Sequence, residues 1–431
     1  MTNTVLPIKK EEVFSRVPKS EAVQYSTFDR SHRHLTAIDA SYLYPLFIDE
    51  VYPGDIFDMS ARHLNRLLTP VKPFMDNLRA RWFFFYTPSR LVWDNFKKFM
   101  GERRRPDEKI TDQYQVPMLN SGANGVEVGS IYDYAGIPTG VPNLEFNALP
   151  FRCINLIYNE YFRDENLSDW LNVGGVDVGG SFNTDSEFGN SDQLSNYSLF
   201  RISKAHDYFT SGLPFMQLGP AQGIKIGTKA PIKANTDDIA NNLVNPIIYD
   251  ASGNVLTSKV LGTNSTTGAL QAGTGSISGS TRAYTSLYAD LEDVTGFTIA
   301  DLRTSMQLQA LKELNARMGH RYKEVIYGEF NVMVSDATLD RPEFLGSYSN
   351  YFNIVPVAST AETSDNPQGN LSAFGVTDND EHYCFTKGFE EHGYIIGLCA
   401  VTTDQTYQQG LQRFWSRKNK YDFYTPLLAN I

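Results

Sequence analysis

Cysteine is scarce in this chain. Its 431 residues hold three, Cys153, Cys384 and Cys399, an odd number with no CxxC spacing. That argues against a disulfide-framed secreted fold and for free, buried thiols in a reducing compartment. Long apolar runs are missing too: no window approaches the ~18 consecutive apolar residues of a membrane span. The N-terminus, MTNTVLPIKKEEVF, lacks the apolar core of a secretion signal. We therefore expect a soluble chain made in the cytoplasm, with no membrane insertion. Positive charge is in deficit, with 38 Lys and Arg against 49 Asp and Glu and a net charge of -11. This excludes a molecule that is basic all over, but not a local basic face.

Catalytic signatures are lacking as well. The sequence has no HExxH, no GxxxxGK[ST] and no GxSxG. Gly273, Gly275 and Gly279 mimic a dinucleotide fingerprint, but with the wrong spacing and no strand before them. His382, His392 and Glu391 match no metal-ligand pattern. Asp336/Asp340 and Asp378/Asp380 sit in turn-like sequence, where Asp bonds its own backbone. We expect no enzyme activity, no catalytic residue, no cofactor and no metal.

What the chain does have is aromatic residues, 13% of the total and mostly Tyr and Phe. Such residues favour strands and interfaces. They concentrate in residues 41–93, where three β-type runs (42–51, 55–60 and 78–86) are separated by turn signals, the strongest being Pro53-Gly54. In the third run Leu78, Ala80, Trp82, Phe84 and Tyr86 are apolar, while the alternate positions pass from Arg79 and Arg81 to Phe83 and Phe85. That pattern predicts a strand that begins at a wet edge and ends in a fully buried layer.

Along the rest of the chain, residues 1–35 read as a polar, mixed-charge arm, solvated or touching phosphate. A short helix over 94–101 turns Trp93, Phe96, Phe99 and Met100 inward. Three arginines, Arg103 to Arg105, follow it as a solvated face or a phosphate contact. Residues 147–166 predict a helix capped by Asn147, with Pro150 in its first turn. From 219 to 296 the composition turns to Gly, Ser, Thr, Asn and Ala, and between 241 and 297 the only cations are Lys259 and Arg282. A long polar insertion of this kind is usually a surface elaboration that carries function. A second helix is predicted over 298–318, with Thr298 and Asp301 as a capping box and Gly319 at its stop. Its stripe of Leu302, Met306, Ala310, Leu314 and Met318 reads as core. Residues 324–335 read as a strand, 356–380 as a small-residue loop, and GYIIGLCAVT as a central buried strand. Together these describe a large antiparallel β protein with inserted helices and loops, its sheet edges closed by a barrel or by double-sheet packing.

Longer strings say more. FDRSH (28–32), FIDEVYPGD (47–55), TPVKPFMDN (69–77) and FFFYTPSRLVWDNFKKFMGE (83–102) come first. LIYNEYFRDENL (156–167), HDYFTSGLPF (206–215), RPEFLG (341–346), FTKGFEEHGYIIGL (385–398) and TYQQGLQRFWSRKNKYDFYTPLLANI (406–431) follow in order. With these blocks the chain resembles the major capsid proteins of small single-stranded DNA bacteriophages, the gokushovirus branch of the Microviridae.

The resemblance implies a mainly β fold, an eight-stranded antiparallel viral jelly-roll barrel with long inter-strand insertions and a few helices. Sixty copies would form a T=1 icosahedral shell around circular single-stranded DNA, a virion assembled in the bacterial host cytoplasm. The expected organisation is an N-terminal arm (1–35), a first barrel part (36–218), a surface insertion forming threefold protrusions (219–297) and a second barrel part (298–431). Lys9, Lys10, Arg16 and Lys19 are the candidate DNA contacts. Asn241, Tyr249, Asn264 and Tyr284 are candidate contacts of the insertion with a host surface receptor. Expected partners also include a small basic DNA-packaging protein and other phage structural proteins. Members of that family continue past the LLANI block, so either the chain is cut at Ile431 or this member is short. The alternative from a different class is a β-sandwich carbohydrate-binding or host-recognition protein, since jelly rolls host such functions and surface aromatics stack on sugars.

Overall fold

The computed structural model describes residues 24–68, 76–102, 114–171, 192–207, 210–223 and 298–426, apart from 359, 363–366, 370, 378–380, 405 and 408. Between 232 and 289 it describes four short strands. The chain divides into two compact units. One is Met1–Ile154, Ser181–Arg201 and Leu345–Asp404; the other is Asn155–Gly180, Ile202–Phe344 and Gln405–Ile431.

The first unit is an antiparallel β structure. The three aromatic runs form β1 (Tyr44–Val51), β2 (Ile56–Arg62) and β3 (Leu78–Pro88). Two three-residue strands, β4 (Met118–Asn120) and β5 (Glu145–Asn147), pair with each other. Late in the chain come β10 (Glu343–Ala358), β11 (Leu371–Thr377), β12 (Glu381–Gly388) and β13 (Gly393–Thr403). One sheet has the order β1-β13-β3-β10-β11, and β12 pairs with β2 in a second. The first and last parts of the chain therefore interleave, with β13 inserted between β1 and β3.

The two sheets share one aromatic layer. Val51, Phe84, Tyr86 and Ile395 from the large sheet meet Phe385 and Phe389, with Phe57, Met59 and Ala61 of β2 packed against them. On β3 Trp82, Phe84 and Tyr86 face this layer and Leu78 and Ala80 join Phe352 and Val401 in a second cluster, while Phe85 is equally buried on the other face beside its β13 partner Ile396. A strand covered on both faces has no polar side to show, which is why GYIIGLCAVT is apolar almost throughout. Gly397 stands where no side chain fits. A Cβ there would lie 2.9 Å from Phe47 Cβ and 2.9 Å from Phe84 Cε1. Its absence lets the Phe47 and Phe84 rings meet edge to face at 6.4 Å across β13.

The turn at Pro53-Gly54 forms as its residues predict. Gly54 has φ +94, and its N–H donates to Phe389 O at 2.7 Å. Beside it the described part of the arm runs antiparallel to β1. Tyr25 lies at Gly54, Arg30 pairs with Asp49 at 2.7 Å, and the His32 ring stacks on Phe47 at 5.6 Å. The arm thus covers inner-layer residues at an edge strand, which would otherwise be open to water.

Asn147 caps as expected, its Oδ1 accepting the Leu149 N–H at 2.8 Å. Helix α1 is nevertheless shorter than the sequence suggests. It spans Leu149–Ile157 and then widens into a π-helical turn over Tyr158–Phe162.

In the second unit, α2 (Ile299–Met318) begins with the predicted Thr298/Asp301 capping box. The strand expected over 324–335 is instead α3 (Tyr322–Phe330) followed by irregular chain. Its β-branched and aromatic run mimics a strand, but Glu324 reaches back to the Arg321 N–H and starts a helix. The loop expected over 356–380 is also overturned, because β10 runs into it and β11 lies inside it. Its small residues serve the packing: a Cβ at Gly375 would lie 2.4 Å from Leu67 Cδ1. Met100, expected inside, is exposed.

Within the polar insertion, β6 (Ile232–Ala234) pairs with β9 (Leu287–Ala289), and β7 (Lys259–Thr263) pairs with β8 (Leu270–Thr274). The segment therefore leaves and returns through neighbouring strands, with an antiparallel pair between them.

Candidate assembly surfaces

Polar groups buried inside the units are arranged as braces. In the first unit the Arg152 guanidinium sits between Asp192 and the Val92 carbonyl, 2.8 Å, 2.7 Å and 3.1 Å away. Tyr197 Oη donates to the same carboxylate. Burial opposes the arginine's charge, but the Asp192 hydrogen bonds and charge outweigh it and raise its pKa. In the second unit Arg321 pairs with Glu165 and Glu324 and donates to the Arg163 carbonyl at 2.8 Å. Arg341 lies over the Tyr161 ring at 4.6 Å, with Glu160 and Asp336 at 3.5 Å and 3.4 Å. Asp336, one of the turn carboxylates, also holds Lys323 at 2.6 Å.

Among the described residues, the groups with reactive side chains are buried or paired. All three thiols are free, and burial pushes Cys384 up to about 11 and Cys399 up to about 12, so neither is a thiolate nucleophile at neutral pH. His382 meets Asn350 at 3.0 Å, Glu391 pairs with Arg90 at 2.6 Å, and His392 packs against Phe96. Among the described residues no group of three metal-ligating side chains comes together.

The surface carries apolar side chains that nothing in the described chain covers. The α2 stripe, expected in the core, is only partly covered: Leu302, Leu314 and Met318 are half-buried, Met306 is 64% exposed and Ala310 is exposed, and Ala316 is the one residue of the helix that is buried. Periodicity showed a stripe but not what would cover it. Further along, Leu411, Phe414, Trp415, Tyr421, Phe423 and Tyr424 are all exposed. A cluster of this kind marks an interaction surface. The sequence reading missed it, although five aromatics between 414 and 424 without strand alternation were a signal.

Lys9, Lys10, Arg16 and Lys19 lie outside the described residues, as do Arg103, Arg104 and Arg105, and as do Asn241, Tyr249, Asn264 and Tyr284.

The described residues thus present a braced antiparallel β core and exposed aromatics. The chain belongs to the phage capsid protein (F protein) family, which matches residues 15–431. It is similar to capsid protein VP1 of Chlamydia phage 1, with 38% identity over 471 residues, covering 99% of this chain and 79% of that protein. VP1 of Bdellovibrio phage phiMH2K is 39% identical over 421 residues, covering 96% of this chain and 75% of the relative. VP1 of Spiroplasma virus 4 is 35% identical over 431 residues, covering 96% and 76%. The family is structural and non-enzymatic, and its relatives are proteins of Microviridae phages. No helix among the described residues is long and apolar enough to cross a membrane.

Proposed function

We propose that this protein is the shell subunit of a small phage virion. Sixty copies form a T=1 icosahedral capsid around a circular single-stranded DNA genome. The observation that carries this reading is the family match along nearly the whole chain, joined to a two-sheet antiparallel core that brings early and late strands together. The core is read as an eight-stranded jelly roll built from 36–218 and 298–431, with 1–35 as an arm and 219–297 as the protrusion that meets the host receptor. Shell contacts each need about 1,200–2,000 Å² of buried surface, and the exposed Met306, Leu308 and Leu311 of α2 are suited to this. Lys9, Lys10, Arg16 and Lys19 offset phosphate from the arm, with a small basic packaging protein supplying further charge and other phage structural proteins completing the particle. Virions are assembled in the host cytoplasm. Negative-stain microscopy of protein expressed in its phage context should show uniform icosahedral, DNA-containing particles. Monomers or small rings alone would overturn the reading.

A further inference from the structure

The segment 411–424, LQRFWSRKNKYDFY, combines two features. It carries four cations, Arg413, Arg417, Lys418 and Lys420, against the single carboxylate of Asp422, in a chain whose net charge is -11. It also interleaves those cations with exposed rings: Trp415 is 70% exposed, Tyr421 79% and Tyr424 76%.

These rings do not hang from a loose tail. Asp422 accepts the Lys418 and Asn419 N–H groups at 2.8 Å and 2.7 Å, which fixes the turn between the two halves of the segment. The Arg417 guanidinium sits 5.4 Å from the Phe423 ring centroid, and the Phe414 and Trp415 rings are 4.7 Å apart. The one carboxylate is thus turned to the backbone, and the cations and rings share the remaining surface.

We propose that residues 411–424 form a contact surface for single-stranded nucleic acid, with Trp415, Tyr421 and Tyr424 stacking on bases and Lys418 and Lys420 meeting phosphates. Stacking on any base's π-face beside cations that track the backbone is how proteins hold single strands without reading sequence. A duplex hides those faces. A second protein is the weaker occupant, because protein interfaces are depleted in lysine, whereas here two lysines flank the rings. The inference rests on the shell reading for its biological ligand, the packaged strand, and moves the main DNA contact from the N-terminal arm to a second position.

The test uses the full chain as unassembled subunits, with a fluorescent mixed-sequence 20-nucleotide DNA strand and its duplex as probes, read by anisotropy across a salt series. The single strand should bind more tightly than the duplex. W415A/Y424A should weaken single-strand binding about ten-fold or more and leave the salt slope unchanged. K418A/K420A should weaken it too, and reduce the slope of log K against log salt by about 1.4. Photocrosslinking a halogenated strand should label the peptide containing 414–424. Unchanged affinity in both variants, or crosslinks confined to other peptides, overturns the proposal. So do variants that lose particle assembly in the phage context while binding the strand as the parent does, since the segment is then a subunit contact. Failure of the parent protein itself to form particles sinks the shell reading alone, because the binding results stand apart from it.

Discussion

Arg152 and Asp192 meet in a two-bonded ion pair sealed from water, their side chains 2% and 3% exposed. They lie forty residues apart, and the pair ties the start of α1 to a distant point of the chain. The helix pattern does not announce the pairing.

Breaking that pair should be costly. Arg152→Leu leaves a buried carboxylate supported by Tyr197 alone, and the expected loss is about 3–5 kcal/mol. Urea denaturation of the full chain, followed by Trp fluorescence, measures it. The double variant R152L/D192L should lose less than the sum of the two single changes; strict additivity would show that the two groups do not act as a unit.

A second prediction concerns acid. His63 is 7% exposed, packed among Trp82, Tyr348 and His382, and among the described residues neither ring nitrogen has a hydrogen-bond partner. Burial, with His382 nearby, lowers its pKa from 6.5 to about 4. The unfolded chain therefore takes up a proton below pH 6.5 that the folded chain refuses until about 4. This group's contribution to stability is full above pH 6.5 and is lost as pH falls towards 4, by about 2 kcal/mol at pH 4.5. H63F should flatten that loss relative to the parent, read as the difference between urea midpoints at pH 7 and 4.5. An equal loss in both proteins would assign the acid sensitivity to other groups.

The packing at Gly397 gives a third. Adding a methyl group there forces Phe47 or Phe84 to shift in a layer closed on both faces, so G397A should cost about 1–3 kcal/mol. Thermal unfolding of the subunit reads the effect. A neutral result would mean that β1 and β3 can spread apart around β13.

The insertion supplies a fourth. Residues 241–280 lie between β6 and β9 and contain the β7–β8 pair, so removing them takes out a segment whose flanking strands pair with each other. The shortened chain should stay soluble and folded by circular dichroism, while phage carrying it should no longer adsorb to host cells. Normal adsorption would remove the receptor role from this segment.

Local chemistry was readable wherever one residue type answers one backbone need. Gly54 takes the positive φ of its turn, Asn147 and Thr298 cap their helices, and alternation from Leu78 to Tyr86 marks a strand that becomes buried. Each rests on contacts a few residues away. Reading failed where two states share a pattern. Tyr322–Phe330 has strand-like residues but is a helix, because Glu324 caps its start. The α2 stripe has helical spacing but only part of it is covered, and β11 was hidden among small residues that a neighbouring Leu67 requires.

By itself, the sequence determined that this is an acidic, aromatic-rich β protein of a capsid family, since composition, period-two runs and long ordered blocks are properties of the chain alone. Only the tertiary structure decided that β13 would insert between β1 and β3, that Arg152 would find Asp192, and that the aromatics near residue 420 would stay uncovered. Those outcomes depend on which distant surfaces meet, and contact across hundreds of residues leaves no local period to read.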